Sequence, residues 1–327
     1  MAEDELMFPA FLRAYVQTGL THAWTTCIPL LQSSSPATLV ANILRRELNT
    51  TSTSASSYTY IDFCAGAGGP TPYIERALNK QLRKPPSSSP SSLSLSSPSS
   101  STAPSYAAVA QAPPTESSHL PPPQSNGTHD AGNDGVKFVL TDLHPHVESW
   151  EKAARESPYL TYVSTPVNAA SAPADLITQH KRAGKGVFRL FNLAFHHFDD
   201  ELARAILKNT VETSEGFGIF ELQSRNFSSF VSCMLFGLFI FLIAPLLYWW
   251  SPQILFFVYV VPIVPFVLVF DGLISSLRTR TADEIEVLLR TCGAADTVDW
   301  TVYSGSETFL WPSGHLTWII CTKKRDG

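Results

Sequence analysis

Charge is scarce in this chain and missing altogether from one long stretch. Only 16% of its 327 residues are Asp, Glu, Lys or Arg, and none of these lies between Arg225 and Asp271. A run of that kind excludes an ordinary solvated loop. Basic excess is lacking too: 23 Lys and Arg stand against 28 Asp and Glu, a net charge of −5 with no basic stripe, which argues against a nucleic-acid partner. The five cysteines, at 27, 64, 233, 292 and 321, form no CxxC pair and leave an odd one. That excludes a disulfide framework and fits a reducing compartment. Large apolar residues are rare from Lys84 to Asp134, where Ser, Pro and Ala dominate, so this stretch cannot bury enough surface to offset its ordering entropy. Near the start, Glu3, Asp4 and Glu5 do not make the basic-then-apolar pattern of a signal peptide.

What is present is concentrated in DFCAGAGGP, Asp62 to Pro70. TYIDF leading into it has the β-branched, apolar composition of a buried parallel strand. TPYIERALNKQL following it reads as a helix with Thr71 as N-cap, Pro72 at the first helical position, and Tyr73, Ala77 and Leu78 on one face. Glycines at 66, 68 and 69 let a ligand approach the backbone, and a helix start offers unpaired N–H groups to the carboxylate or phosphate end of a cofactor. A tight strand-to-helix turn also needs glycine with no ligand present, so the loop alone does not decide. KFVLTDLHP, Lys137 to Pro145, adds a second apolar strand ending in Asp142, where a carboxylate accepts hydrogen bonds from ribose hydroxyls in Rossmann-like folds. The dinucleotide fingerprint wants a third glycine where this chain has Thr71, which counts against a nicotinamide cofactor.

With Asp62, Cys64, Gly66 and Gly68 at the places of an acidic, x, Gly, x, Gly, x, Gly motif, the chain resembles the class I S-adenosylmethionine-dependent methyltransferases. Cys64 departs from the first glycine. Tyr159 to Ala169 resembles the third strand and the turn beside the adenine, with Asn168 where an aspartate is common. Gly186 to Asp200 resembles the fourth strand and its loop, Gly216 to Leu222 the fifth, and Glu307 to Lys323 the antiparallel closing pair. The resemblance implies an α/β, Rossmann-like fold with a mostly parallel sheet, S-adenosylmethionine as cofactor, and a cofactor site drawn from Asp62, Cys64, Gly66, Gly68, Gly69, Asp142, Leu143, Asn168 and Asn192. A FHHF loop, a hydrophobic stretch after the fifth strand and DGLISSLR together resemble a little-characterised subgroup that carries a membrane hairpin.

Composition then sets the expected organisation: a helical lid or edge packing over 1–57, with Phe11, Tyr15, Leu39, Ile43 and Leu44 at helical spacing; a cofactor-binding core over 58–83 and 135–225; a disordered insertion over 84–134; a hairpin over 226–270; and a last helix with closing strands over 271–327. SFVSCMLFGLFIFLIAPLLY and ILFFVYVVPIVPFVLVF are each about long enough to cross a ~30 Å hydrocarbon layer, with Tyr248, Trp249 and Trp250 at the turn as an interfacial belt. Pro245, Pro252, Pro262 and Pro265 keep a re-entrant hairpin open as the rival to a spanning one. In either case both ends return to one side. Arg225, Arg278 and Arg280 flank the hairpin while its turn is uncharged, so the positive-inside rule puts the catalytic domain on the cytosolic face of a membrane such as the endoplasmic reticulum. The expected partners are a lipid bilayer and a lipophilic substrate. Thr281 and Glu284 form a capping box for a helix whose stripe is Ile285, Leu288, Leu289 and Cys292, stopped by Gly293.

For chemistry, methyl transfer needs alignment and, with an oxygen or nitrogen acceptor, a base. His196 and His197 follow the fourth strand and are the candidate catalytic residues; the competing reading is that they only shape the loop. Glu221 either faces substrate or pairs with Arg225. His144 and His146 lack the Cys or carboxylate spacing of a metal site. The expected function is a membrane-anchored methyltransferase acting on a lipophilic small molecule or lipid, the alternative being a non-catalytic, membrane-tethered binding or scaffold protein.

Overall fold

Buried strand segments rich in aromatic and β-branched residues, alternating with helices, assemble into one seven-stranded sheet in the computed structural model. The structure describes residues 21, 23–28, 31–50, 54–83, 135–181 and 184–324. The chain divides into two units, Met1–Arg83 with Gly135–Gly327, and Lys84–Asp134. The second unit, with the disorder expected of it, lies outside the described residues, as do Phe11 and Tyr15.

The strands are β1 (Tyr58–Phe63), β2 (Phe138–Thr141), β3 (Leu160–Tyr162), β4 (Gly186–Asn192), β5 (Gly216–Glu221), β6 (Trp300–Leu310) and β7 (Gly314–Lys323). They lie in the order β3-β2-β1-β4-β5-β7-β6. The first five are parallel, whereas β7 runs antiparallel to β5 and β6 antiparallel to β7. This is the mostly parallel α/β sheet with an antiparallel closing pair that the sequence led us to expect. β1, β2, β4 and β5 are almost continuously buried because helices cover both faces.

On one face pack α1 (Pro36–Thr50), α2 (Thr71–Leu82) and α3 (Val147–Arg155), closing a core of Leu44, Ile74, Leu78, Trp150, Tyr60 and Phe188. On the other lie α4 (Ala174–Lys181), α5 (Asp200–Thr213) and, further along, α9 (Ala282–Arg290), around Phe63, Phe191, Leu207, Phe217, Ile285 and Leu289. Leu39, Ile43 and Leu44 are buried in the first core, so α1 packs against the sheet layer. The α2 reading needs correction. Its N-cap is Pro70, Pro72 sits in the first turn, and the buried face carries Ile74 and Leu78 while Tyr73 is 40% exposed.

The apolar stretch departs from a symmetrical hairpin. Its first arm, α6 (Phe227–Leu247), is one 21-residue helix capped by the Asn226 side chain, which accepts from Ser229 N at 2.8 Å. Its second arm is broken: α7 (Pro252–Leu255) runs into a π turn at Phe256–Val260, and α8 (Ile263–Arg278) leaves at 63°. Pro262 and Pro265 remove backbone donors there, which accounts for the break. Among the described residues one helix is thus long and apolar enough to cross a membrane, or two if the bent arm counts as one span. DGLISSLR, expected to lie between hairpin and last helix, is the end of α8. The arms touch at glycines, since a Cβ on Gly237 would fall 2.3 Å from Val269 Cγ2. Outward, Leu242, Leu246, Trp249 and Trp250 are each more than 60% exposed.

Candidate functional site

Strand order reverses between β1 and β4, and in open α/β sheets ligands bind outside the carboxyl ends of the strands at such a switch point. Two groups of polar side chains meet there.

The first is built on the glycine loop. Asp62, next to last in β1, is 1% exposed. Thr71 does not cap α2; its hydroxyl donates to Asp62 Oδ2 and accepts from Asn192 Nδ2 at 3.0 Å, with Asn192 Nδ2 also 3.5 Å from Asp62 Oδ2. Asp62 Oδ1 and Asn192 Oδ1 are fully buried without a hydrogen-bond partner. Burial pushes the Asp62 carboxyl up to about 7, against the pull of its Thr71 and Asn192 hydrogen bonds and with a push from Asp142.

The backbone after Asp62 turns sharply. Cys64 has φ 68° and Gly66, Gly68 and Gly69 follow with φ of 52°, 106° and 47°. A left-handed cysteine is costly, and such strain clusters at functional sites. Burial, with Asp142 and Asp62 nearby, pushes the Cys64 thiol up to about 12, so it is no nucleophile. A Cβ on Gly66 would meet nothing within 4 Å, so this glycine faces open space. Asp142 holds the loop: its Oδ2 accepts from Gly66 N at 2.8 Å and its Oδ1 from His144 N at 2.8 Å. Leu143 beside it is 48% exposed.

The structure therefore brings Asp62, Cys64, the three glycines, Asp142 and Asn192 to one corner. Asn168 is tied to its own turn, its side chain accepting from Ala170 N at 2.9 Å. Two contributors escaped the sequence reading. Trp150 on α3 is fully buried and donates from Nε1 to Gly66 O at 2.8 Å, and no local motif announces it. Arg189 on β4 is buried with only neutral partners, among them Ala169 O at 3.1 Å and Asn209 Oδ1 at 2.7 Å, and it lies over the Phe63 ring. Burial pushes its guanidinium down to about 9. It pins the turn after Asn168 to α5.

The second group lies one strand further on. From Asn192 the chain passes through Leu193, at φ 51°, into a 3-10 turn at Phe195–His197. His196 Nδ1 is 2.8 Å from Glu221 Oε2, and both side chains are about 95% buried. Of the two sequence readings of Glu221, the pairing with Arg225 does not hold: its partner is His196, and Arg225 instead donates to Thr279 O at 2.7 Å and pairs with Glu284. Burial alone would lower the His196 pKa, but Glu221 and Asp271 outweigh it and raise it. His197, its ring centroid 4.1 Å from that of His196 and tilted 41° to it, is pushed down to about 4 by burial, by His196 and by Arg278. The two histidines differ, and only His196 has a carboxylate to orient it and carry a proton's charge.

The turn is clamped from the hairpin side. Arg278 donates to His197 O at 3.1 Å, and Arg280 donates to Phe195 O at 3.2 Å and Phe198 O at 2.7 Å while pairing with Asp200 at 2.9 Å. His196 lines two cavities, one of about 350 Å³ reaching to β6 and β7 and one of about 600 Å³ running along Arg204 and α9.

The sequence matches no protein-family model and no curated protein. Solved structures resemble it in outline. An O-methyltransferase family protein from Burkholderia thailandensis is 9% identical with a TM-score of 0.37, over 89% of this chain and 59% of that one. Human N-acetylserotonin methyltransferase in complex with SAM is 10% identical at 0.37, over 88% and 54%. A Rhodobacter sphaeroides protein assigned as a Zn-dependent alcohol dehydrogenase is 10% identical at 0.40, over 98% and 100%. The chain spans less than two thirds of the length of the first two. Likeness this remote assigns no chemistry to this chain.

Proposed function

We propose that the chain is a membrane-anchored, S-adenosylmethionine-dependent methyltransferase acting on a lipophilic small molecule or lipid. One observation carries the choice of cofactor. The glycine-loop corner holds two carboxylates, Asp62 and Asp142, and an unpartnered buried amide oxygen on Asn192, and no lysine or arginine hydrogen-bonds there among the described residues. A corner of that kind suits a cation. An ammonium and a sulfonium fit it, and a dinucleotide pyrophosphate would meet like charge. The residues that would hold the cofactor are Asp62 and Asn192 toward its amino group, the Gly66 to Gly69 backbone beside its methionine end, and Asp142 toward its ribose.

S-adenosylmethionine supplies, when bound, a methyl group on an excellent leaving sulfur. The chain supplies the rest. Glu221 accepts the Nδ1 proton of His196, fixing the tautomer in which Nε2 is basic, and Glu221 stabilises the imidazolium once Nε2 has taken a proton from the acceptor. The exposed apolar hairpin, with Trp249 and Trp250 at its turn, anchors the domain with its sheet at the bilayer surface.

A second reading has one observation in its favour. Gly66 N and O are already bonded to Asp142 and Trp150, as a loop that binds no cofactor would be, which suits a non-catalytic membrane-tethered scaffold. Calorimetric titration of the detergent-solubilised protein separates them: we expect heat of binding with S-adenosylmethionine and none with NADH, and silence with millimolar S-adenosylmethionine would defeat the enzyme reading. For the anchor, replacing residues 230–270 by a short flexible linker is expected to move the protein to the soluble fraction with cofactor binding intact. Continued pelleting of the folded deletion in carbonate wash would remove the hairpin from that role.

A further inference from the structure

Ser304 and Ser306 alternate on the edge strand β6, so their side chains share one face. Across the sheet from them are Ile319 and Thr317 on β7, and next to these Ile219 and Glu221 on β5. The first turns of α9, Ala282 and Ile285, stand over this face, and the space between is the cavity of about 350 Å³. His196 closes one end. The remaining rim is Ser224 with Arg225 and Thr279 to Ala282, where the chain goes into the apolar hairpin and where it comes out.

The charges lining this cavity are committed to one another or to the backbone. His196 is bonded to Glu221; Arg225 to Glu284 and Thr279 O; Arg280 to Asp200, Phe195 O and Phe198 O. Thr317 Oγ1 donates to Glu221 O and Gln223 O. Trp318 belongs to the core on the opposite face. By contrast, Ser304 and Ser306 are exposed and their hydroxyls make no hydrogen bond among the described residues, and neither does His196 Nε2. What the cavity has left to offer a ligand is therefore neutral: two hydroxyls, each one donor and two acceptors, about 7 Å apart along a strand, and one ring nitrogen.

We propose that this cavity binds the uncharged, hydroxyl-bearing head of an amphiphile, selected by Ser304 and Ser306, with its hydrocarbon leaving past the hairpin root toward the bilayer. The proposal rests on the reading of the chain as a membrane-anchored methyltransferase in making this cavity the acceptor's and the bilayer the destination of the hydrocarbon. A phosphate or carboxylate head would face Glu221 and find no uncommitted cation. An ammonium head would find Glu221 already taken by His196. A neutral polyol head leaves nothing charged unpaired on either side. Phe195, Ile219, Ile285 and Ile319 give the cavity an apolar wall.

The test uses the full chain in lipid nanodiscs and three photo-crosslinking probes with one acyl chain and a diazirine near the head: a monoacylglycerol, the matching fatty acid and the matching fatty amine. Labelled peptides are mapped by mass spectrometry. We expect the monoacylglycerol to label peptides containing 195–225 and 304–319 in preference to the other two. In the double variant Ser304→Ala with Ser306→Ala that labelling is expected to fall about tenfold, the worth of two ordinary hydrogen bonds. Ser306→Lys is expected to turn the preference toward the fatty acid. Both positions are exposed on an edge strand, so the variants keep the fold, which circular dichroism checks. Equal labelling by all three probes, no labelling of these peptides, or labelling unchanged in both variants overturns the proposal. Selective, serine-dependent labelling by a protein that binds no S-adenosylmethionine would sustain this site while defeating the methyltransferase reading; methyl transfer with unselective labelling would do the reverse.

Discussion

Two carboxylates lie near the carboxyl ends of β1 and β5, with β4 between them, and both are buried: Asp62 on β1 at 1% exposure and Glu221 on β5 at 3%. Their surroundings differ. Glu221 has an imidazole within 2.8 Å, a built partner that shares its charge and a proton. Asp62 has a hydroxyl and an amide, keeps one oxygen unpartnered, and holds its proton to about pH 7. The same residue class at the same depth thus has an ionisable partner in one corner and an unpartnered oxygen in the other. Burial is common to both; the partner decides the role.

The largest test of that contrast is on the histidines. His196→Ala is expected to cut turnover by about 10²- to 10⁴-fold with cofactor affinity little changed, because proton removal belongs to the transition state. His197→Ala, which deletes a ring that stays neutral to about pH 4, is expected to spare turnover. Equal losses, or a joint fall in thermal stability and cofactor binding, would reduce both to shaping the loop. Because the acceptor is not identified, the assay offers membrane lipid extracts with radiolabelled donor and follows label into the organic phase.

Next comes the partner itself. Glu221 raises the His196 pKa, so in Glu221→Gln the imidazole loses its proton at lower pH. The acid limb of the pH–rate profile, where a protonated base fails, is then expected to shift down by about 1 to 3 units. An unmoved limb would assign that limb to another group.

Asp62 sets the third. Its folded pKa lies above the ordinary carboxylate value, so its contribution to stability without ligand is full below that ordinary value and is lost as pH rises through about 7. A cationic ligand reverses the preference. Affinity for S-adenosylmethionine is expected to climb as pH passes through about 7, and Asp62→Asn to flatten that climb while weakening binding by about 1 to 3 kcal/mol. A pH-independent affinity in the wild type would show that Asp62 does not meet the cofactor's charge.

The smallest effect sharpens the same corner. At Gly66 an added methyl meets no atom within 4 Å and has only the left-handed backbone against it, so Gly66→Ala is expected to cost about 1 kcal/mol of folding stability. If the open space beside Gly66 is the cofactor's, S-adenosylmethionine affinity falls by more than the stability does, and calorimetry beside thermal melts compares the two.

Much of the architecture was legible in the chain because it is written in local terms. Short apolar runs bounded by glycine, proline and asparagine gave the strands; the Thr281 and Glu284 capping box and the stripe of Ile285, Leu288 and Leu289 gave α9, which ends at Arg290, short of Cys292; the absence of charge after Arg225 gave the apolar arms. The glycine loop and Asp142 marked one corner of the site for the same reason, since a left-handed turn and a strand-end carboxylate are local facts. What the sequence could not supply are the pairings across strands. Thr71 reads as a helix cap until β4 brings Asn192 to it, and Glu221 reads as a partner for nearby Arg225 until the Phe195–His197 turn folds His196 onto it from 25 residues away. Trp150 reaches Gly66 over a sequence separation of 84. The bend in the second apolar arm depended on which proline the packed backbone would yield at, and the helix broke at Pro262. Propensity and pattern act over a few residues and so fix the elements, whereas burial, hydrogen-bond partner and pKa are set by atoms that only the closed sheet brings within reach.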